Sequence, residues 1–220
     1  MTMQAVPPGP DPLPASAGQD LLHLLGQRLS TGPKYLAAPG PTMEAWMRAA
    51  RVAERAPDHG ALRPFRFVIV GDDQRLALSE LFAQGALERG QPPDDVGRAR
   101  ARAFNGPGLA ALVARICPDV PDVPVHEQWM CVGAGLMNFL NALHVMGFAA
   151  KSLSGLSVSD EAIKAAFCDS DESLACWIVV CVRPSPLDGR HHAGVRSGGG
   201  RPAMRQQLVD AAGRVRRQPL

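Results

Sequence analysis

Three short pairs of residues in this sequence could recognise a phosphate group. Arginine offers a planar fork of charged donors that fits phosphate oxygens, and serine hydroxyls with exposed backbone amides complete such a site. The pairs are spread along the chain, and they are Arg28 with Ser30, Arg55 with His59, and Ser152 with Ser154. Each pair alone is also what a solvated surface produces, so both interpretations remain open at this point.

No standard catalytic template accompanies these pairs. The sequence contains no GxSxG turn, no HExxH pair, no GxxxxGK loop and no GxGxxG after a strand. The sequence therefore lacks the defining residues of these hydrolases, of zinc peptidases, of P-loop nucleoside triphosphatases and of Rossmann dinucleotide-binding proteins. The pair His191-His192 has no carboxylate or thiol at ligand spacing, so we expect a solvated loop there and no metal. We assign no catalytic residue.

The predicted elements place these residues at the ends of helices and strands. Leucines at helical spacing predict a helix from Asp20 to Gln27, so Arg28 to Ser30 form its end. A second helix is expected to begin at Thr42 as N-cap, with Glu44 in its first turn, and to stop before Pro57. The other predicted elements are strand Phe65 to Val70, helices Asp73 to Arg89 and Asp94 to Phe104, strand Leu109 to Cys117, helices Val125 to Met146 and Ser159 to Phe167, and strand Leu174 to Val182.

Helices interleaved with a few apolar strands predict an α+β fold, an α/β sandwich in which helices cover a central sheet. The expected core face of the second helix carries Trp46, Met47, Ala50 and Ala53. The long helix contains small residues from Gly133 to Gly135, which permit close backbone approach. That helix is either a buried core helix or a dimer interface.

Composition predicts one globular domain. A chain of 220 residues, of which 46% are hydrophobic, can bury one sizeable core. We expect a disordered leader over residues 1–19, the globular domain over residues 20–184, and a C-terminal arm or disordered tail over residues 185–220. The net charge of +2, from 23 basic and 21 acidic residues, argues against nucleic-acid and membrane binding.

The five cysteines predict reduced thiols. They form no CxxC pair, and an odd number fits a disulfide framework poorly. The first residues lack the basic and apolar regions of a signal peptide. A cytoplasmic location is therefore expected.

In the segments that carry the three pairs, the sequence resembles the nitroreductase family, in particular its compact YdjA-like branch. Arg28-Leu29-Ser30 is similar to the family's Arg-Arg-Ser signature. The run from Arg55 to His59, followed by the run from Arg63 to Phe67, resembles a stretch of that branch. Further matches in the same order are Gln84-Gly85-Ala86, Val123-Pro124, Glu127-Gln128, Gly147-Phe148 and Ser154-Gly155.

The resemblance implies a nitroreductase-like fold assembled as an intertwined homodimer. It also implies FMN at the interface of the two subunits, reduced by NADH or NADPH and reoxidised by a nitroaromatic, a quinone or a similar small acceptor. The cofactor itself would carry the hydride, so little acid or base chemistry is required of the protein. The cofactor-binding residues implied by the resemblance are Arg28, Leu29, Ser30, Arg55, His59, Ser152, Leu153 and Ser154.

The sequence also departs from the family pattern. Leu29 replaces the second arginine of the signature. Ser152 and Leu153 replace a Trp-Arg pair, so at these two positions the resemblance implies a role for the backbone and not for the side chains. Arg63 stands where the family usually has glutamine, and its charge either faces the flavin or points into solvent. The alternatives are a different flavin reaction on the same scaffold and a non-catalytic flavin- or nucleotide-binding protein.

Overall fold

A four-stranded antiparallel sheet forms the centre of the structure, a computed structural model that describes residues 14–32 and 38–183 and two short strands near the C-terminus. The strands are β1 (Phe65–Ile69), β2 (Gly108–Arg115), β3 (Phe148–Leu153) and β4 (Glu172–Val182), in the order β1-β2-β4-β3. Residues 108–114 of β2 are all buried. Because both faces of this central strand are covered, its sequence is an almost continuous apolar run.

Helices cover both faces of the sheet. In the described residues they are α1 (Ala15–Gly26), α2 (Met43–Ala53), α3 (Arg75–Glu88), α4 (Pro93–Ala101), α5 (Val125–Val145) and α6 (Glu161–Phe167). Helices α2 and α5 pack on one face, and helices α3, α4 and α6 pack on the other. The predicted α+β fold with helices on a central sheet is confirmed.

Each face of the sheet has its own aromatic cluster. On the side of α2 and α5, the rings of Phe67 and Phe139 stack with centroids 3.9 Å apart, and Trp46 stacks on Phe139 at 5.9 Å. On the other side, Phe82 and Phe167 meet Trp177 edge-on, at 5.3 and 5.1 Å. The two cores are separate because alternate residues of β2 point to opposite faces.

Helix α2 begins as predicted, but its buried face is displaced by one position. The hydroxyl oxygen of Thr42 accepts a hydrogen bond from the amide of Ala45 at 3.3 Å, which confirms the N-cap. The buried residues are Ala45, Trp46, Ala49 and Ala53. Met47, expected beside Trp46, is 51% exposed, since adjacent helical residues point about 100° apart.

Strand β3 was not predicted from the sequence. Gly147 follows the end of α5 and has a φ of 89°, a backbone conformation that favours glycine. The chain reverses direction there, and β3 begins at the next residue, Phe148. The strand pairs with β4 from Phe148↔Val182 to Leu153↔Trp177. Two alanines, Lys151 and Ser152 weaken its β signal, so long-range pairing with β4 decides its conformation.

Contacts divide the chain into the unit Met1–Ser185 and the unit Pro186–Leu220. In the second unit, β5 (Leu208–Val209) pairs antiparallel with β6 (Val215–Arg216). The His191-His192 pair, most of the predicted tail and residues 1–13 of the predicted leader lie outside the described residues. Helix α1 begins at Ala15, earlier than the expected Asp20. In the part of the chain that is described, no helix is long and apolar enough to cross a membrane.

The side chains of four cysteines are buried or partly buried. Cys117, Cys131, Cys168 and Cys176 are free thiols. Burial raises the pKa of Cys131 and Cys168 above the usual range, and it raises the pKa of Cys176 to about 11. The thiols of Cys131, Cys168 and Cys176 are therefore protonated at neutral pH and poor nucleophiles.

Candidate functional site

The segment Arg28 to Ser30 lies against the outer edge of the sheet. Helix α1 ends at Gly26, and the chain then runs parallel to β3, where Ser30 forms a bridge with Ala150. The amide of Thr31 donates to the carbonyl of Ala150 at 3.4 Å. Arg28 is half-buried, whereas Leu29 and Ser30 are exposed. Backbone pairing therefore brings this segment within two residues of Ser152, so the structure joins two of the three predicted segments.

A buried histidine holds α1 in place beside this segment. The His144 ring in the last turn of α5 donates from Nε2 to the carbonyl of Leu24 at 2.8 Å. Its Nδ1 lies 2.8 Å from an Arg183 guanidinium nitrogen, which also donates to the His144 carbonyl. A neutral ring satisfies both contacts, as acceptor at Nδ1 and donor at Nε2.

The charges around His144 leave this corner positive. Burial lowers the pKa of His144, and the positive charges of Arg183 and Arg28 lower it further, although the bond to Leu24 acts in the opposite direction. Neither arginine forms an ion pair with a carboxylate in residues 14–32 and 38–183. Guanidinium charge without a described carboxylate partner, two residues along the chain from the exposed Ser30, suits an anionic group such as a phosphate.

Ser152 and Leu153 end β3 and Ser154 follows it, and their side chains point to different sides. Side chains alternate along a strand, so Ser152 shares the face of Ala150 towards α2 and α5. Leu153 packs with the core on the α3 side, and Ser154 is exposed. Leu153 and Ser154 both line a cavity of about 450 Å³. Because the three side chains point to different sides, only the backbone of all three residues could contact one ligand.

The third predicted pair lies in the loop after α2. His59 Nδ1 is 2.8 Å from a carboxylate oxygen of Glu127, in the first turn of α5. Arg55 lines a cavity of about 440 Å³ together with Arg63 and Asp58. The Asp58 carboxylate accepts from the amide of Arg63 at 2.8 Å and holds that residue at φ of 50°. Arg63 is thus exposed on the cavity that Arg55 lines.

Arg28 and His59 lie at opposite ends of α5. Glu127, the partner of His59, is in the first turn of the helix, and His144, beside α1 and Arg28, is in the last. At a rise of about 1.5 Å per residue, these two positions are about 25 Å apart along the axis. One chain therefore does not bring the Arg28 segment together with Arg55 and His59.

The sequence matches the nitroreductase family over residues 25–181. The chain belongs to this family. A "Putative NAD(P)H nitroreductase" of Haemophilus influenzae (strain ATCC 51907 / DSM 11121 / KW20 / Rd) is 30% identical over 162 residues, which are 73% of this chain and 87% of that protein. The Escherichia coli K12 protein of the same name, YdjA, is 32% identical over 148 residues, 67% of this chain and 79% of that protein.

Solved structures of the family share the fold. The nitroreductase-like family protein from Bacillus cereus superposes with a TM-score of 0.64 at 12% identity, covering 80% of this chain and 91% of that one. A mutant of the FMN and NADPH-dependent nitroreductase NfnB from Sphigopyxis sp. strain HMH gives a TM-score of 0.57 at 14% identity, covering 74% and 88%. The family and the fold expected from the sequence are both confirmed.

Some residues of the nitroreductase-like motifs have structural roles that explain them. A Cβ on Gly85 would lie 1.7 Å from a carboxylate oxygen of Asp160, which is paired with Arg89 at 2.6 Å and caps α6 at Ile163. Gln128 is 2% exposed and bonds both the amide and the carbonyl of Cys117, at 2.8 Å each. These residues shape the nitroreductase scaffold through contacts within the chain.

The contact of Glu127 with His59 was not inferred from the sequence. The two residues are 68 positions apart, and only the packing of the α2 loop on α5 joins them. The same is true of Arg102, which lines the cavity at Leu153 and Ser154, and of Arg75, which bonds the carbonyl of Ala103 next to it. No spacing rule links such residues, because their proximity is a property of the folded nitroreductase-type chain.

Proposed function

We propose that this protein works as a homodimer that passes reducing equivalents from NAD(P)H to a nitroaromatic, a quinone or a similar small acceptor. The family match and the relatives named NAD(P)H nitroreductases support an oxidoreductase of this type, and the names of solved structures with the same fold support FMN as its cofactor. The observation that carries the proposal is the bridge between Ser30 and Ala150, which joins the Arg28 segment to the end of β3.

The residues at that junction fit the cofactor's phosphate and ring. Arg28 supplies charge that no described carboxylate neutralises, and Ser30, two residues further along the chain, is exposed. The backbone of residues 152–154 would meet the ring. When bound, FMN supplies the hydride chemistry. The chain's own part is to bind the phosphate, orient the ring against the strand end and leave room for the acceptor.

Two subunits are proposed to complete each site. Since Arg28 and His59 lie at opposite ends of α5, Arg55 and His59 of the partner subunit would contact a cofactor held by Arg28. The exposed face of α5 is apolar enough for such an interface. It carries Trp129, Met130, Met137 and Val145, with the exposed Gly133 among them.

The proposal assigns distinct roles within the predicted residue set. Arg28 and Ser30 bind phosphate, while Leu29 and the segment 152–154 contribute backbone. Arg63 adds a second charge to the cavity that Arg55 lines. The free thiols and the resemblance favour the cytoplasm as the compartment.

Three measurements on one preparation test the proposed function. The chromophore released by denaturation should be FMN at about one per subunit, anaerobic NAD(P)H should bleach it, and light scattering should give a dimer. Recovery of FAD, a yellow protein that resists reduction, or a monomer that holds FMN tightly would each contradict the corresponding part.

A further inference from the structure

The cavity beside Leu153 and Ser154 is built like a binding site for a flat molecule. Its volume of about 450 Å³ lies in the range of small-molecule pockets. Its apolar lining includes Phe82, Leu109, Trp177 and Val179, all of them core residues on the α3 side. Phe82 and Trp177, whose rings meet edge-on, contribute aromatic atoms to this lining, and such atoms favour contact with a planar ring.

One rim of the cavity carries an unpaired cation. Arg102 and Asn105 line it, and the Arg102 side chain forms no ion pair or hydrogen bond with any residue that the structure describes. The neighbouring arginines differ, since Arg98 pairs with Asp95 and Arg100 pairs with Glu80. Arg102 is therefore available to a ligand, while its neighbours are neutralised.

A buried arginine holds this rim in position. Arg75 is 4% exposed, and its guanidinium donates to the carbonyls of Ala103, Gly106 and Pro107 at 2.6, 3.3 and 3.0 Å. These carbonyls belong to the loop that contains Asn105 and follows Arg102. Three charge-assisted bonds to one loop restrict its motion, so the charged rim is preorganised.

A second part of the rim, the segment from Ser154 to Ser157, is anchored as well. The indole nitrogen of Trp177 donates to the hydroxyl oxygen of Ser157 at 3.1 Å, inside the core. The ion pair of Arg89 with the buried Asp160, at 2.6 Å, fixes the chain just after this segment. Both parts of the rim are thus tied to the core around an open cavity, which is the arrangement of a preformed site.

We propose that this cavity binds the electron acceptor and that Arg102 selects acceptors in which a planar aromatic ring carries a carboxylate. The guanidinium would pair with the carboxylate at the rim, and the ring would lie on the apolar lining next to the proposed cofactor segment. This inference rests on the proposed function. For a nitro acceptor, NAD(P)H and one proton reduce the nitro group to a nitroso group and water, with NAD(P)⁺ as the oxidised product.

Binding of two matched probes to the oxidised holoprotein tests the selection by Arg102. The probes are 4-nitrobenzoate and its neutral analogue 4-nitrobenzamide, titrated by calorimetry. Because Arg102 is exposed, we expect the carboxylate to bind about fivefold more tightly. Arg102→Gln should abolish that preference, and the control Arg98→Gln, which removes an equal charge away from the cavity, should retain it.

A second variant keeps the test decisive if Arg102→Gln misfolds. Asn105→Asp is isosteric and adds a negative charge to the same rim, so it should weaken 4-nitrobenzoate while leaving 4-nitrobenzamide unchanged. Equal affinity of the wild type for the two probes, or a preference that survives both substitutions, overturns the proposal.

The test separates this inference from the proposed function. Calorimetry needs no turnover, so a protein without NAD(P)H activity that still prefers 4-nitrobenzoate contradicts the function and supports the site. Reduction of both probes with equal KM in wild type and Arg102→Gln supports the function and overturns the site. If Arg102→Gln lowers FMN content and neither probe binds, the cofactor occupies the cavity and the inference is wrong.

Discussion

At the scale of single residues, the recognition of anions depends on guanidinium groups that have no internal partner. Arg66 is bonded to Glu172, and the same contact lowers the pKa of that carboxyl, so this arginine is unavailable to a ligand. Arg28 is different, because no described carboxylate pairs with it. The sequence does not show which of these two arginines has an ion-pair partner, because each has both polar and apolar neighbours along the chain.

Arg28→Ala should weaken FMN binding much more than riboflavin binding. A hydrogen bond to a charged group contributes about 1.5 to 3 kcal/mol, which is roughly ten- to a hundredfold in affinity. Riboflavin lacks the phosphate and should lose little. Titration of flavin fluorescence with the apoproteins measures both ligands, with Arg98→Ala as the control. Equal losses for FMN and riboflavin would remove Arg28 from the phosphate site.

The neutral His144 predicts that the protein loses stability in mild acid. Its pKa is lowered in the folded state, chiefly by burial, so the unfolded chain binds the proton more readily. This contribution is fully present above the unfolded pKa of about 6.5, and it decreases as the pH falls below that value. Each pH unit costs at most about 1.4 kcal/mol until the folded pKa is reached.

Thermal unfolding between about pH 5 and pH 8 measures this effect. His144→Gln keeps a donor for Leu24 and an acceptor for Arg183 but cannot titrate, so its Tm should fall less below about pH 6.5. His126→Gln, at an exposed position of the same helix, should behave like the wild type. Parallel pH profiles for wild type and His144→Gln would refute the assignment.

At the scale of elements, α5 connects the sheet, α1 and the α2 loop. The small residues at its centre serve one close contact that the structure defines. A Cβ on Gly135 would lie 2.3 Å from the Phe65 ring, whereas a Cβ on Gly133 would meet nothing within 4 Å. The sequence predicted close backbone approach, whereas at Gly135 the structure shows room for an aromatic side chain of β1 in the same chain.

Gly135→Ala should destabilise the fold. Overpacking costs about 1 to 3 kcal/mol, and the better helix propensity of alanine returns about 1 kcal/mol of that. Gly97→Ala is the matched control, since Gly97 is an exposed position inside α4 with open space around it. Urea unfolding should show a lower free energy of unfolding for Gly135→Ala and an equal or higher one for Gly97→Ala. The reverse order would mean that Phe65 moves aside freely.

At the scale of the whole molecule, the length of α5 separates the residues of the candidate site. The separation of about 25 Å along the helix axis is what two-fold assembly would overcome, since a second copy can place its own loop beside the first chain's edge strand. Cofactor binding would then require assembly of the dimer.

Mixed dimers of two defective variants test that shared site. If each site takes Arg28 from one subunit and Arg55 from the other, a dimer of one Arg28→Ala chain and one Arg55→Ala chain contains one intact site and one doubly defective site. Separately tagged chains, refolded together and purified through both tags, should bind about half of the wild-type FMN with wild-type affinity. Mixed dimers that bind FMN as weakly as either parent would show that the sites lie within single chains.

Local chemistry was enough for much of the fold. The Thr42 cap, the apolar run of β2 and the end of α1 just before Arg28 depend on residues a few positions apart, so the sequence predicts them. The family resemblance added the cofactor and the order of the site segments. Met47 was misplaced because a helical face is only loosely specified in an alanine-rich helix.

The tertiary structure alone decided β3, the His59 contact with Glu127, and the cavity between Arg102 and Ser154. Strand β3 has weak intrinsic preference and forms because β4 offers it a full register of partners. The cavity exists because the buried Arg75 holds a loop about 30 residues away, at Ala103, and Trp177 holds Ser157. Sequence patterns report interactions between near neighbours, whereas these features arise from contacts between distant residues, which only the packed chain brings together.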